Sequence, residues 1–135
     1  MTACQVCKRH ILVVDDDALV CETVAMILRF DGHLVDSATS AAQALEIFAP
    51  GKFDLIITDL FMPSMTGDKL AAAIKSLAPT QPVVMLTAYP EKIAGERPIE
   101  VVDFTMGKPF EIEALRDLVI KWAVTEPERT DVAAN

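Results

Sequence analysis

The sequence predicts an α/β fold, a doubly wound (βα)₅ arrangement with a five-stranded parallel sheet and a short or irregular fourth helix. Three observations lead to this prediction. Short apolar runs alternate with longer stretches of helical spacing, turn residues separate them, and the strand-like runs are apolar at nearly every position. Strands covered by helices on both faces have this composition, so the sheet should be parallel and buried.

The first half of the chain contains two strand–helix units. An apolar run predicts a strand over Ile11–Asp15, and the helix after it can end at Gly32. The apolar face of that helix comprises Val20, Val24, Ile27 and Leu28. The run HLVDSA at 33–38 is a weaker strand. Ser40 can cap the second helix, which carries Ala44, Leu45 and Phe48 and ends at Pro50 and Gly51.

The second half continues the alternation. FDLIITD at 53–59 is the clearest strand, FMPSMTG is a loop, and a helix follows over 68–77 before the strand QPVVMLTA. Pro90, Gly95 and Pro98 confine any fourth helix to about two turns. VVDFTM predicts the fifth strand. The last helix is predicted over 111–124, with these residues facing inward: Ile112, Leu115, Leu118, Val119 and Trp122. Right-handed crossovers then place helices on both faces of a flavodoxin-like sheet.

Length and charge limit the function classes. The 135 residues suit one domain, predicted over 10–124 between a lead-in at 1–9 and a flexible polar tail at 125–135. The net charge is 12 − 20 = −8, which disfavours direct binding to nucleic acid or to anionic membrane surfaces. No apolar run reaches membrane-spanning length, and the first residues lack the core of a signal peptide. The chain is therefore expected in the cytoplasm.

The three cysteines raise one metal alternative. Cys4 and Cys7 form a CxxC pair, and His10 and Cys21 could complete a zinc site. No second CxxC or HxxxH follows at ligand spacing, so a frayed lead-in is the favoured interpretation. Cys21 lies within a helical pattern and is expected to be a small core or boundary residue.

The polar residues concentrate where strands end. Strand one is followed by Asp15, Asp16 and Asp17, strand three by Asp59, strand four by Thr87 and strand five by Lys108. In open α/β sheets the carboxyl ends of the strands meet at the edge where ligands bind. Each residue alone has a structural interpretation, since a strand-end Asp is often a helix cap, and Asp17 fits that role. Their joint placement predicts a site.

The chemistry of this set points to phosphoryl transfer. Clustered carboxylates repel one another and favour a cation, and oxygen ligands with room for water suit Mg²⁺. Lys108 adds an ammonium and Thr87 adds a hydroxyl, both able to donate to an anionic oxygen. A carboxylate, a metal, an ammonium and a hydroxyl together can stabilise a transferring phosphoryl group. Asp59 is the nucleophile in this scheme.

The chain resembles the receiver domain of two-component response regulators over about residues 10–124. ILVVDDD resembles the family's first strand and acidic pair, and DLIITDLFMPSMTG resembles the strand and loop that carry the phosphoacceptor aspartate. MLTA and GKPF resemble the threonine and lysine motifs. The resemblance implies a phosphoprotein switch rather than an enzyme with an external substrate, one that catalyses only its own phosphorylation and dephosphorylation.

The resemblance also implies a role for each site residue. Asp16 and Asp59 would bind Mg²⁺ through their carboxylates, Asp15 would assist, and the backbone carbonyl of Phe61 would be a further ligand. Asp59 would accept a phosphoryl group from a histidine kinase, a phosphotransfer domain or a small phosphodonor. Lys108 would contact the phosphoryl oxygens, and Thr87 would move toward them as a switch. The Lys108–Pro109 bond is expected to be cis, as is usual in this family.

Output and partners are expected to be proteins. No effector domain follows residue 124 in this sequence, so a stand-alone receiver would signal through protein contacts to a downstream target that the sequence does not name. The first helix would receive the kinase, with Leu19 and Val20 as candidate contacts or as ordinary core residues. The family usually has an aromatic residue three positions before the lysine, where this chain has Thr105, with Phe104 beside it. Signal readout is therefore expected to be unusual.

Two other function classes stay open at this point. A pseudo-receiver would signal by contact without phosphorylation, and the weak fourth helix favours it while the intact site residues oppose it. A small Mg²⁺-dependent phosphatase of the haloacid dehalogenase type also uses strand-end aspartates. Its motif resembles DxDx(T/V) on the first strand, and DDDAL lacks the final hydroxyl or valine.

Overall fold

The computed structural model describes residues 9–88 and 102–123. Five parallel strands form one sheet in the order β2-β1-β3-β4-β5, and four helices connect or follow them within these residues. The elements are β1 His10–Val14, α1 Ala18–Phe30, β2 Leu34–Ala38, α2 Ala41–Ile47, β3 Leu55–Asp59, α3 Gly67–Leu77, β4 Val83–Thr87, β5 Phe104–Gly107 and α4 Ile112–Ala123. The predicted flavodoxin-like doubly wound sheet is confirmed.

Two apolar layers cover the sheet. The layer under α1 and α4 includes Ile11, Val13, Leu28, Leu115 and Val119. The layer under α2 and α3 includes Leu12, Val14, Ile56, Leu70 and Ile74. Because successive strand residues point to opposite faces, the inner strands β1, β3 and β4 supply both layers and are apolar at most positions. The predicted short fourth helix lies outside the described residues, as do most of the predicted lead-in and the whole predicted tail.

Three local predictions were wrong in detail. The second helix ends at Ile47, and the extended backbone of Phe48 lets its ring pack into the core instead of continuing the helix. The fifth strand begins at Phe104, so Val102 and Asp103, which were predicted to belong to it, lie outside it, and the Asp103 carboxylate instead accepts a hydrogen bond from the Val83 N–H. Ile112 was predicted to face inward, but it is 54% exposed.

Candidate functional site

Three carboxylates meet at the carboxyl edge of the sheet. Asp15 and Asp16 directly follow β1, and Asp59 is the last residue of β3, the strand beside it. One oxygen from each of the three lies within 4.8 Å of the others. Asp15 is buried, Asp59 has a side chain that is 11% exposed, and Asp16 is exposed. The predicted acidic cluster is therefore present, with one side open to solvent.

Lys108 directly follows β5, an edge strand of the sheet, and brings a positive charge to this cluster. Its Nζ lies 2.7 Å from Asp15 Oδ2 and 3.4 Å from Asp59 Oδ1. The Lys108 backbone N–H donates to the Thr87 carbonyl over 2.7 Å, which anchors the residue to the end of β4. The Lys108–Pro109 peptide bond is cis, as predicted.

Asp17 has the structural role that its position suggested. Its side chain caps α1 by accepting a hydrogen bond from the Leu19 N–H at 3.0 Å. Its own backbone N–H donates to Asp15 Oδ1 over 2.9 Å, so the start of the helix also orients the Asp15 carboxylate. Of the three consecutive aspartates, two therefore belong to the acidic cluster and the third positions them.

The two other predicted side chains at this edge differ in exposure. Thr87 is fully buried at the end of β4, opposite Gly107 in the strand register. Phe61 lies in the loop after β3, two residues beyond Asp59, with an exposed ring. Both follow or end strands that carry site residues, so the predicted grouping at one edge is observed.

Phe104 does not take the place of the aromatic residue that the family usually has at position 105. Phe104 packs against Trp122 of α4 with ring centroids 6.0 Å apart, and Met106 joins the same apolar layer. Thr105 is one residue along β5 and therefore points to the other face of the sheet. An aromatic ring at 104 cannot occupy the space that a ring at 105 would fill.

Burial and the charges of neighbouring groups shift the pKa values of Asp59 and Lys108, partly in opposite directions. Burial raises the pKa of Asp59 above its ordinary value and the Asp15 charge adds to this, while Lys108 opposes both. Burial alone would lower the pKa of Lys108, but hydrogen bonding to Asp15 and the charges of both carboxylates raise it above its ordinary value. Lys108 therefore stays cationic, and the ionised Asp59 is held at an energetic cost.

Gly67 is a site residue that the sequence interpretation missed. It begins α3, and its N–H donates to the Leu60 carbonyl over 2.7 Å. A Cβ on Gly67 would lie 2.0 Å from the carbonyl oxygen of Asp59, so only glycine allows the helix to approach the end of β3 this closely. A glycine at the start of a helix without a capping role is the signal that could have identified it.

The donor set fits a hard divalent cation. Carboxylate oxygens are the ligands that Mg²⁺ prefers, and the open side at Asp16 leaves room for its waters. Within residues 9–88 and 102–123, this is the one grouping of three acidic, histidine or cysteine side chains that could hold a metal. The Cys21 thiol instead donates to the Asp15 and Ala38 carbonyls, and burial followed by the Asp15 charge raises its pKa to about 11. Cys21 is thus a core residue, whereas Cys4 and Cys7 lie outside the described residues.

An apolar groove opens beside Lys108. It has a volume of about 530 Å³ and runs between α1 and the segment that links β5 to α4. Its walls include Leu19, Val20, Ile27, Phe110 and Ile112. The exposure of Ile112 therefore has a local reason, since its side chain forms one lip of this groove.

Comparison with known proteins agrees with this geometry. The family model described as the response regulator receiver domain matches residues 11–120. The chain is 36% identical to the response regulator protein FleR of Pseudomonas aeruginosa over 119 residues, which is 84% of this chain and 24% of FleR. It is 32% identical to the response regulator MprA of Mycobacterium ulcerans over 133 residues, or 93% of this chain and 56% of MprA. The chain thus spans a quarter to about half of these curated relatives.

Solved structures give the same result. The response regulator TrrA of Thermotoga maritima, crystallised in complex with Mg²⁺-BeF, superposes with a TM-score of 0.78 at 30% identity, covering 84% of this chain and 98% of TrrA. A CheY-like receiver domain protein from Methanospirillum hungatei gives 0.80 at 25% identity, covering 90% and 98%. The match to the receiver-domain model, together with the doubly wound sheet and the acidic cluster and lysine at its carboxyl edge, defines a class of signalling domain. This chain belongs to the response regulator receiver domain family of two-component systems.

Within the described part of the chain, no helix is both long enough and apolar enough to cross a membrane. The longest, α1, has 13 residues.

Proposed function

We propose that this receiver domain accepts a phosphoryl group on Asp59 in a Mg²⁺-dependent reaction. The observation that carries the proposal is the convergence of Asp15, Asp16 and Asp59 within 4.8 Å, with Lys108 Nζ in contact with two of them. Asp59 has a raised pKa and stands at the end of the central strand β3. A carboxylate with a perturbed pKa beside a cationic partner is a candidate for chemistry at a site.

The metal ligands in this proposal are the carboxylates of Asp15, Asp16 and Asp59 and the backbone carbonyl of Phe61. The complex of the related TrrA with Mg²⁺-BeF supports Mg²⁺ as the ion. When bound, the ion would neutralise the charge that the clustered acids and the phosphoryl oxygens share. Asp17 and Gly67 would position the ligands, Asp17 through the Asp15 carboxylate and Gly67 through the Asp59 backbone.

The proposed reaction begins with an Asp59 carboxylate oxygen attacking the phosphorus of a phosphohistidine. An acyl-phosphate P–O bond forms, the P–N bond breaks, and the imidazole nitrogen keeps the electron pair and takes a proton. Lys108 would leave Asp59 and donate to the phosphoryl oxygens, and Thr87 would donate from the end of β4. Hydrolysis of the acyl phosphate would return Asp59, so the domain catalyses only its own phosphorylation and dephosphorylation.

The proposed phosphodonor is a histidine kinase or a histidine phosphotransfer domain. The groove beside Lys108 supports this, because its apolar walls adjoin the acidic cluster and could hold a donor helix against it. We place the reaction in the cytoplasm, where ATP charges such donors. Output through protein contacts rather than nucleic acid is favoured by the net charge of −8. The proposal includes action as a stand-alone unit of about residues 10–124. The alternative is a receiver domain that is joined to an effector domain in a longer chain.

Intact-protein mass spectrometry after incubation with acetyl phosphate tests the site. The native chain should gain one phosphoryl group when Mg²⁺ is present and none when it is chelated. Asp59→Asn should gain none under either condition, because the amide cannot form the acyl phosphate. The matched control is Asp117→Asn, an exposed aspartate of α4, which should react as the native chain does.

A domain that cannot be phosphorylated must be distinguished from one that only fails to react with acetyl phosphate. A histidine kinase with a phosphorylated phosphotransfer domain therefore serves as a second donor. If neither donor modifies the native chain while Mg²⁺ still raises its melting temperature, the domain would be a pseudo-receiver that signals by contact. Modification of Asp59→Asn at the native level would also reject Asp59 as the acceptor.

A further inference from the structure

The outer face of α1 carries a row of large apolar side chains. Leu19 is 71% exposed, Met26 is 65% exposed and Phe30 is 83% exposed. Thr23, also exposed, lies in the same row, so the four residues follow one another at spacings of four, three and four. That spacing is the one that two helices use when they pack side by side along a seam. We name Leu19, Thr23, Met26 and Phe30 the α1 seam.

The seam lies opposite the core. At about 100° per residue, its four members fall within about 30° of the direction that points away from the buried face. The buried face comprises Cys21, Val24, Ala25 and Leu28. Nothing in the described part of the chain covers the seam, and three large apolar side chains in a row over 13 residues form the kind of patch that marks an interface.

The two flanks of the seam differ in chemistry. Glu22 and Arg29 lie on one flank, seven residues apart and both exposed, and Val20 and Ile27 lie on the other, both partly buried. Arg29 is oriented by its Nη2, which donates to the Val35 carbonyl over 2.7 Å. The helix therefore offers one acidic and one basic group beside the same apolar row.

We propose that the α1 seam pairs with the seam of a second copy of this chain, antiparallel about a two-fold axis. In that arrangement Leu19 packs against the partner's Phe30, and Thr23 packs against the partner's Met26. Glu22 then faces the partner's Arg29, and the two-fold axis creates this ion pair twice. On the other flank, Val20 meets the partner's Ile27. Because these residues also line the groove beside Lys108, the second copy and a donor helix would occupy this face in turn.

The charges select this arrangement. A parallel pair would bring Glu22 beside the partner's Ile27 and would form neither ion pair. A self-complementary patch is what a two-fold dimer requires, since the same surface serves both copies. A 13-residue helix covers a small area, so the dimer should be weak and reversible and should form as the protein concentration rises.

Charge reversal provides the test, because two variants that fail alone should succeed together. Glu22→Arg places two arginine pairs in its homodimer, and Arg29→Glu places two glutamate pairs in its homodimer. Mixed in equal amounts, the two variants regain opposite charges at both positions. Sedimentation velocity over a concentration series should show dimers for the native chain and for the mixture. Each variant alone should dissociate at about tenfold higher concentration.

Two further variants separate dimerisation from folding defects. Glu46→Arg reverses an exposed charge on α2, away from the seam, and should leave the dimer unchanged. Thr23→Leu adds an apolar contact at the centre of the seam and should tighten the dimer without producing larger species, which aggregation of a damaged fold would produce. Circular dichroism verifies that Arg29→Glu is folded, since Arg29 also bonds to Val35.

Three results would overturn the proposal: a native chain that stays monomeric throughout the series, a Glu22→Arg variant that dimerises like the native chain, or a mixture no better than its components. A Thr23→Leu variant without tighter association would reject the register. The readout is molecular mass rather than phosphorylation. The dimer can therefore fail while Asp59 is still modified by acetyl phosphate, and the reverse also holds.

Discussion

Asp31 and Asp59 both have side chains that are largely shielded from solvent, yet the fold moves their pKa values in opposite directions. Asp31 caps the end of α1. Arg116 of α4 donates two hydrogen bonds to the Asp31 carboxylate, from Nε over 2.8 Å and from Nη2 over 2.5 Å. The hydrogen bonds from Arg116 outweigh burial and lower the pKa of Asp31. Asp59 shares one ammonium with Asp15 at a longer distance, so burial prevails and raises its pKa.

The comparison separates a carboxylate whose charge is paired within the fold from one whose charge is only partly paired. We call Asp31 of the α1 end and Arg116 and Glu113 of α4 the α1–α4 clasp. The planar guanidinium of Arg116 forms two hydrogen bonds with Asp31, and its Nη1 lies 3.1 Å from the Glu113 carboxylate. The carboxyl edge of the sheet instead brings three acids together around one lysine, which leaves negative charge that a cation or a phosphoryl transfer can use. Three sets of substitutions and one change of pH test this contrast.

Gly67→Ala should have the largest effect. The new Cβ would meet the Asp59 carbonyl oxygen, so α3 or the end of β3 has to shift. We expect a loss of about 3 kcal/mol in the free energy of unfolding, at the upper end for a forced shift of this kind. Urea denaturation measures the loss, and phosphorylation by acetyl phosphate should slow as well. Ala72→Ser, an exposed change on the same helix, serves as the control; equal stability of the two variants would refute the close approach.

Neutralising each aspartate in turn should change stability with opposite signs. Without Mg²⁺, Asp59→Asn should raise the free energy of unfolding, because it removes a carboxylate that is costly to ionise in the fold. Asp31→Asn should lower it, because the amide cannot replace the ion pair with Arg116. At 100 times the dissociation constant, Mg²⁺ should stabilise the native chain by about 2.7 kcal/mol and Asp59→Asn by far less. The same sign for both substitutions would remove the contrast.

Arg116→Met removes the cationic partner of Asp31 and should weaken the α1–α4 clasp. Asp31 would keep its burial but lose its donors, which should lower the free energy of unfolding by about 1–3 kcal/mol. Arg116→Lys should recover part of this loss, since an ammonium restores the charge without the two-pronged geometry. Chemical denaturation with and without Mg²⁺ should show the same difference, because the clasp lies apart from the acidic cluster. A Met variant as stable as the native chain would mean that the clasp contributes nothing.

Acidification should produce the smallest effect. The folded pKa of Asp31 lies below its usual value of 3.8, so the unfolded chain takes up the proton first as the pH falls. The stability that the clasp contributes is therefore complete above the usual pKa and is lost as the pH falls through the folded one. Denaturation of the native chain and of Arg116→Met, from neutral pH down to about pH 3, should show the two curves converging at the acid end. Curves that stay parallel would contradict the pKa direction.

The order of the elements and the residues at the strand ends could be predicted from the amino-acid sequence. Apolar runs such as 55–59 become strands, and Ser40 and Asp17 cap helices, because these preferences depend on a few neighbouring residues. Parallel strands bring their carboxyl ends to one edge, so the meeting of Asp15, Asp59 and Lys108 also followed from the pattern. The roles of these residues came from the family resemblance and stay a prediction.

Tertiary structure alone decided the properties that depend on distance and burial. Lys108 reaches Asp15 across 93 positions of sequence, and the 2.7 Å contact sets which acid it favours. The opposite pKa directions of Asp31 and Asp59 arise from desolvation and from the number of donors, neither of which a local pattern encodes. The exposure of Met26 and Phe30 depends in the same way on which face of α1 the sheet covers. Short-range preferences build the elements, but only their packing determines which charges are satisfied and which surfaces stay open.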